Sequence, residues 1–151
     1  MEEAHEPYWE KGMEWSLENN PAESDLEVLS QGVTIAGRAV SKSEAEPIAV
    51  FARVNGAVVA GVCGRTEFSR LFISYLWVSE EYRGQGIASR LLTEMEAAAK
   101  ARGCGDAVIE TLLDDVASLY ERRGYVRLAV IPRYVGHFSR YILRKPLGLV
   151  P

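Results

Sequence analysis

One stretch limits the folds open to this chain more than any other: Arg83-Gly84-Gln85-Gly86-Ile87-Ala88, set between an apolar run and an amphipathic helix. Residues 71–78 read Leu-Phe-Ile-Ser-Tyr-Leu-Trp-Val, a strand by composition. The acidic turn Ser79-Glu80-Glu81-Tyr82 follows. Ile87, Leu91, Met95 and Ala98 then recur at helical spacing, with Ala88, Leu92 and Ala99 on the adjoining row. A strand that turns through glycines into a helix aims several unpaired N–H groups one way, and the positive end of the helix dipole adds to them. The result is an anion site suited to phosphate. Glycine lets the backbone approach a ligand closely, and Arg83 adds a guanidinium able to pair with a phosphate oxygen. The same pattern also fits a plain tight turn before a packed helix. Ser89 stands where a dinucleotide fingerprint needs its third small residue, and no Gly-Lys-Ser/Thr follows as in a Walker loop.

The rest of the chain supplies a sheet for this unit. Asn55-Gly56 between the apolar runs 48–54 and 57–63 is the preferred two-residue hairpin turn. The helix over 86–102 ends at Gly103, and a buried strand follows over 106–112. A helix joins this strand to 71–78, so the two should pair in parallel. Asp114 reads as the N-cap of a short helix that Gly124 stops. Residues 125–131 and 138–144 form a closing strand pair around Pro132. Upstream, 13–18 alternates as a first strand would. Ser24 and Glu27 read as a capping box for a helix over 25–40. Residues 1–12 and 147–151 read as loose tails of a single domain spanning 1–151.

Composition narrows the function classes. Apolar residues make up 48% and charged residues 25%, an ordinary globular balance. No run of about 18 apolar residues predicts a membrane span, and the acidic N-terminus lacks the pattern of a signal peptide, so a cytoplasmic protein is expected. A net charge of −4 argues against a broad nucleic-acid footprint and suits a cationic amine partner. Cys63 and Cys104 read as free thiols. His5 and His137 lie too far apart in sequence to suggest a local metal site, so no metal is expected.

The stretch from Val78 to Ala88 resembles the pyrophosphate-binding motif of the GNAT N-acetyltransferase superfamily, Gln/Arg-x-x-Gly-x-Gly/Ala, here Arg83-x-x-Gly86-x-Ala88. Residues 117–125, Ala-Ser-Leu-Tyr-Glu-Arg-Arg-Gly-Tyr, resemble the family's Ala-x-x-Leu-Tyr-x-x-x-Gly-Phe/Tyr segment. Both motifs occur in the family's order with a strand between them, and the resemblance covers roughly 48–145. It implies an α/β (α+β) domain with a mixed, mostly antiparallel sheet of six to seven strands and helices on both faces. It also implies an acetyl-CoA-dependent N-acetyltransferase that moves the acetyl group to a primary amine on a small molecule or a protein, by direct attack in a ternary complex. An acyl-CoA-binding sensor without turnover is the alternative. The family allows a homodimer. Arg83, Gly84, Gln85, Gly86, Ile87 and Ala88 would hold the pyrophosphate, and Trp77 and Val78 would line the pantetheine arm. Members often carry Asn at the position of Asp114, near that arm.

Acetyl transfer from a thioester needs a neutral amine held in line, a donor for the oxyanion and a proton for the leaving thiolate. The resemblance gives the last role to Tyr120, whose phenol stays protonated at neutral pH; the alternative is a packed aromatic with its hydroxyl on a backbone partner. The oxyanion donor is expected to be a backbone N–H at a bulged strand end near Val78. Glu110, a carboxylate on a strand face shared with Val108 and Leu112, is the candidate base, ahead of Glu67. Tyr75, Tyr134 and His137 are candidates for the acceptor pocket, the last two in a loop between the closing strands. Arg122 and Arg123 either reach an adenosine phosphate or complement a helix dipole.

Overall fold

Asn55 (φ 48°) and Gly56 (φ 82°) both sit in the left-handed region that a two-residue hairpin turn requires. Glu46–Val54 (β1) and Ala57–Glu67 (β2) therefore lie antiparallel, with Val54 opposite Ala57. In the computed structural model, which describes residues 12–41 and 44–148, a second tight turn through Phe68 and Ser69 leads into Arg70–Val78 (β3), antiparallel to β2. A 3₁₀ turn over Glu80–Tyr82 and the glycine loop then deliver Ile87–Ala101 (α2). Asp106–Thr111 (β4), Asp114–Arg122 (α3), Val126–Val135 (β5) and Phe138–Pro146 (β6) complete the order.

The six strands lie in the order β1-β2-β3-β4-β6-β5, and only β3 and β4 are parallel. The expected mixed, mostly antiparallel sheet and the helix-linked parallel pair are both present. α2 covers β1 to β3 with Leu91, Leu92, Met95 and Ala99. These belong to both helical rows read from the sequence. Full burial of a side chain such as Leu92 or Met95 contributes about 1.5–3 kcal/mol. α3 packs Ala117 and Tyr120 over β4, β5 and β6, and both helices share one buried cluster with Val62, Leu71, Ile109 and Leu143.

Two polar groups join the strands and helices inside this frame. Asp106 on β4 accepts from Arg70 on β3 (2.7 and 2.8 Å) and from Arg144 on β6 (2.6 Å). Glu96 on α2 accepts from the Tyr125 hydroxyl (3.0 Å) and from Lys145 Nζ (2.7 Å). Cys63 and Cys104 are free thiols, and burial pushes the Cys104 thiol up.

The chain divides after Val40 into two units. The first holds all but the last residue of Glu23–Ser41 (α1), which carries Glu23 and Asp25 in its first turn and Arg38 in its last, matching the helix dipole. Ser24 is not its N-cap: the helix already includes Glu23, and the Ala22 carbonyl accepts from Asp25 and Leu26 N–H. Residues 13–18 form no strand, since their alternation finds no ladder partner. At the other end, Leu147 is not loose. Its N–H donates to Gly105 O (2.9 Å) and its side chain packs on the core. Of the two expected tails, Gly12 and Gly148 are also described, and residues 1–11 and 149–151 lie outside the described residues.

Candidate active site

The parallel ladder between β3 and β4 is short. It runs from Arg70–Asp106 to Phe72–Val108 and stops. Beyond it β3 continues to Val78 and β4 to Thr111 without pairing, so the sheet opens at the C-terminal ends of its two parallel strands. A bulge drives the separation: Ser74 is extra in β3, between Ile73 opposite Gly64 and Tyr75 opposite Cys63. The bulge therefore lies four residues before Val78 rather than beside it as the sequence reading expected. Gly64 is required there, because a Cβ at that position would overlap the Phe72 carbonyl oxygen.

The extra residue resets the alternation of β3. Leu71 and Ile73 face the core before it, and Leu76 and Val78 pack on the core after it. Ser79 N–H is engaged by Val59 O (2.8 Å) on β2. Successive N–H groups of a strand alternate sides, so the Val78 N–H points into the opening. Trp77, opposite Gly61, and Val78 thus line the β3 wall of this notch.

The glycine loop closes one end of the notch. Gly84 (φ 72°) and Gly86 (φ 79°) are both left-handed, and a Cβ on either would meet open space. Among the described residues, no backbone hydrogen bond engages the N–H of Gly84, Gln85 or Gly86, and no side chain caps the start of α2. Unpaired N–H groups therefore gather at the positive end of a 15-residue helix beside an open space. A diphosphate would satisfy several at once, so these residues fit the coenzyme's anionic centre. Arg83 Nε donates to Val78 O (2.9 Å), which ties the loop to the end of β3 and leaves the terminal guanidinium nitrogens for an anion. Ile87 and Ala88 form the first turn of α2.

Tyr120 sits on α3, 6% exposed, with its ring 5.9 Å from that of Tyr125. The two tyrosines differ in their hydroxyls. That of Tyr125 is bound to Glu96, whereas the Tyr120 hydroxyl has no hydrogen-bond partner among the described residues. Burial raises the Tyr120 pKa, so the phenol remains a proton donor at neutral pH. Asp114 is the first residue of α3 rather than its cap, which is Leu113. The Asp114 carboxylate instead accepts from Arg127 Nη1 (2.9 Å). Arg123 donates from Nη2 to Thr93 Oγ1 on α2 (3.0 Å), so it joins the two helices.

A cavity of about 600 Å³ opens at the C-terminal end of β4, lined by Glu110, Thr111, Leu112, Leu113, Val135, Phe138 and Arg140. Glu110 Oε2 accepts from Arg140 Nε (2.7 Å) and also from Arg140 Nη2. Arg140 Nη1 in turn donates to the Tyr134 hydroxyl (2.9 Å). Tyr134 is not in a loop: β5 runs on to Val135, and the turn is Gly136 and His137. His137 is exposed, its ring 4.1 Å from Phe138. Tyr75 is 76% exposed on β3 and does not line the cavity. Glu67 ends β2 and pairs with Arg65 (3.1 Å). Arg140 escaped the sequence reading. Glu110 lies opposite Ile142, so Arg140 is its diagonal neighbour on the same face, a relation that appears only once β4 and β6 are in register.

Comparison with known proteins bears on the family and the fold. Residues 2–125 match the model of the Acetyltransferase (GNAT) family. The chain is 33% identical over 109 residues to a blasticidin-S acetyltransferase of Streptomyces morookaense, covering 69% of this chain and 80% of that protein. It is 39% identical over 74 residues to an acetyltransferase of Agrobacterium fabrum, a match spanning 49% of this chain and 54% of that relative's length. A crystal structure of an Agrobacterium tumefaciens protein described as an acetyltransferase superposes with a TM-score of 0.82 at 27% identity, covering 89% of this chain and 99% of the other. No helix among the described residues is long and apolar enough to cross a membrane.

Proposed function

Because the chain belongs to the GNAT acetyltransferase family, we propose that it transfers the acetyl group of acetyl-CoA to a primary amine on a small molecule, by direct attack within a ternary complex. The observation that carries this reading is the notch itself. A ladder that ends at Phe72–Val108 leaves strand edges for an extended thiol arm, and the unpaired N–H groups of the Gly84–Gly86 loop stand at its end. A relative named as a blasticidin-S acetyltransferase supports a small-molecule acceptor.

Each chemical requirement has a candidate group. Gly84, Gln85, Gly86, Ile87 and Ala88 would hold the diphosphate through main-chain N–H groups, with Arg83 beside them. Trp77 and Val78 would lie along the pantetheine. The amine nitrogen attacks the thioester carbon, and the Val78 N–H donates to the oxyanion that develops. As the C–S bond breaks, the sulfur takes the Tyr120 hydroxyl proton. The proton lost by the amine passes to Glu110, directly or through water, and then to solvent, from which Tyr120 is reprotonated. The sum is amine plus acetyl-CoA giving amide plus free coenzyme A.

A coenzyme-binding module without turnover would have no use for a thiolate donor, so the presence of Tyr120, whose hydroxyl is not held by another side chain among the described residues, favours the enzyme. The test is direct. Calorimetry should detect acetyl-CoA binding, and a thiol reagent should register coenzyme A release when acetyl-CoA is incubated with an amine library. No binding of acetyl-CoA would refute the reading; binding with no amine-dependent thiol release would favour the sensor.

A further inference from the structure

The strand β5 contains a proline, and its consequence reaches the cavity. Pro132 has no N–H to give the β5–β6 ladder. The register jumps there, from Ile131 opposite Arg140 to Val135 opposite Phe138, so three residues of β5 span a gap that β6 crosses with one. Arg133 takes φ 51° within the bulge. This bulge brings Tyr134 against Arg140, which the diagonal β4–β6 relation has already placed against Glu110.

The donors and acceptors of this group are unequally used. Arg140 gives Nε and Nη2 to Glu110 and Nη1 to Tyr134, so its Nε–Nη2 fork is filled and its other edge is tied to the phenol. Glu110 receives both contacts on Oε2, which leaves Oε1 without a partner among the described residues. The Tyr134 oxygen accepts from Arg140, so its own hydrogen is available to donate. Glu110 and Arg140 line the cavity with Leu112, Leu113, Val135 and Phe138, so one carboxylate oxygen there is free to accept. The half-exposed Tyr134 stands one hydrogen bond beyond Arg140, outside the lining itself, with a hydroxyl hydrogen to donate.

We propose that Glu110, Arg140 and Tyr134 select the acetyl acceptor: an amine on an apolar body with an uncharged oxygen, carbonyl or hydroxyl, next to the amine-bearing carbon. The amine N–H donates to Glu110 Oε1, and the Tyr134 hydroxyl donates to the neighbouring oxygen. Arg140 lines the cavity between them and acts as a positioning residue that fixes both partners. A free carboxylate beside the amine is disfavoured, because the arginine fork is already filled and Glu110 repels it. The proposal rests on the transferase reading and narrows its acceptor.

Three amines that share one benzyl group test it: phenylalaninamide, phenethylamine and phenylalanine, each with acetyl-CoA and thiol detection. The wild type should show a kcat/KM for phenylalaninamide at least about tenfold above phenethylamine and about a hundredfold above phenylalanine. Tyr134→Phe should bring the first two within about twofold of each other. Arg140→Gln should raise KM for phenylalaninamide at least about tenfold with a smaller change in kcat, and Arg140→Lys should recover only part of this. Acetyl-CoA affinity by calorimetry should stay at the wild-type value in all three variants. Equal use of the three amines, a preference that survives Tyr134→Phe, or an unchanged KM in Arg140→Gln would overturn the proposal. So would wild-type protein that binds acetyl-CoA but neither acetylates nor binds any of the three amines, an outcome that leaves the transferase reading intact. Failure to bind acetyl-CoA would defeat both together.

Discussion

Gly86 separates the needs of the fold from those of the coenzyme. Its φ of 79° costs an L-residue about 1–2 kcal/mol, and a Cβ there meets nothing in the protein within 4 Å, so a longer side chain leaves the backbone into open space. Gly86→Ala, Gly86→Gln and Gly86→Glu should therefore all fold. Each should melt below wild type by roughly 2–4 °C per kcal/mol lost, the scaling for a domain of this size. Acetyl-CoA affinity should divide the three. Gln adds bulk, whereas Glu adds similar bulk and a charge. A carboxylate about 4 Å from a phosphate charge costs about 4 kcal/mol at an effective dielectric near 20, about three decades of affinity at low salt. The loop is exposed, so about 0.15 M salt should shrink the Glu-to-Gln difference markedly. Melting curves and calorimetry at two salt concentrations measure both quantities. A folded Gly86→Glu protein that binds acetyl-CoA as the wild type does would refute the idea that these amides grip a diphosphate. A Gln variant as weak as the Glu variant at low salt would refute its electrostatic half.

Three further outcomes follow from the same geometry. Tyr120→Phe should lower kcat at least about tenfold and leave melting and acetyl-CoA affinity near wild type, because the hydroxyl makes no hydrogen bond among the described residues; full turnover in steady-state assays would make Tyr120 a packing residue. Gly64→Ala should destabilise the fold by about 1–3 kcal/mol or more in urea titrations, since the Cβ meets backbone that cannot rotate away; an unperturbed midpoint would contradict the tight crossing at the bulge. The hydrogen bond from Arg70, and then that from Arg144, hold the Asp106 carboxyl below its usual range against the opposing effect of burial. A carboxyl lowered in the folded state contributes stability above its unfolded pKa of about 3.9 and loses it as pH falls through the folded value. Wild-type stability should thus fall more steeply below about pH 4 than that of Asp106→Asn, as urea titrations across that range would reveal; parallel slopes would exclude the linkage.

Features that depend on neighbouring residues were legible in the sequence. Asn55-Gly56 dictated a hairpin because few other pairs accept two left-handed residues in a row. The step from β3 to α2 was readable because glycine spacing and helical periodicity meet within six residues, 83–88. Features that depend on pairing were not. Residues 13–18 alternate like a strand, but alternation does not supply a partner. The β3 bulge falls at Ser74, one polar residue in an otherwise apolar run, where nothing local separates a bulge from an ordinary strand position. Pro132 reads as a break, yet it interrupts only the ladder, and β5 continues through it to place Tyr134 on a strand. Ser24 and Asp114 have the right chemistry for caps, but α1 begins two residues and α3 one residue too early for them to serve.

The two halves of the candidate site are thus encoded differently, with consequences for how each can change. The coenzyme half is main chain: N–H groups at Gly84 to Ala88, a strand edge at Val78, and a notch held open by Ser74 and Gly64. Substitution there works through backbone conformation, so few residues are tolerated. The acceptor half is three side chains on three strands, Glu110, Tyr134 and Arg140, brought together by the β4–β6 register and the Pro132 bulge. Glu110 and Arg140 line an open cavity and Tyr134 is bonded to Arg140; none of the three belongs to the buried cluster under α2 and α3, so replacement leaves that cluster untouched. The acceptor can therefore be exchanged by substitutions that leave coenzyme binding and the core unchanged.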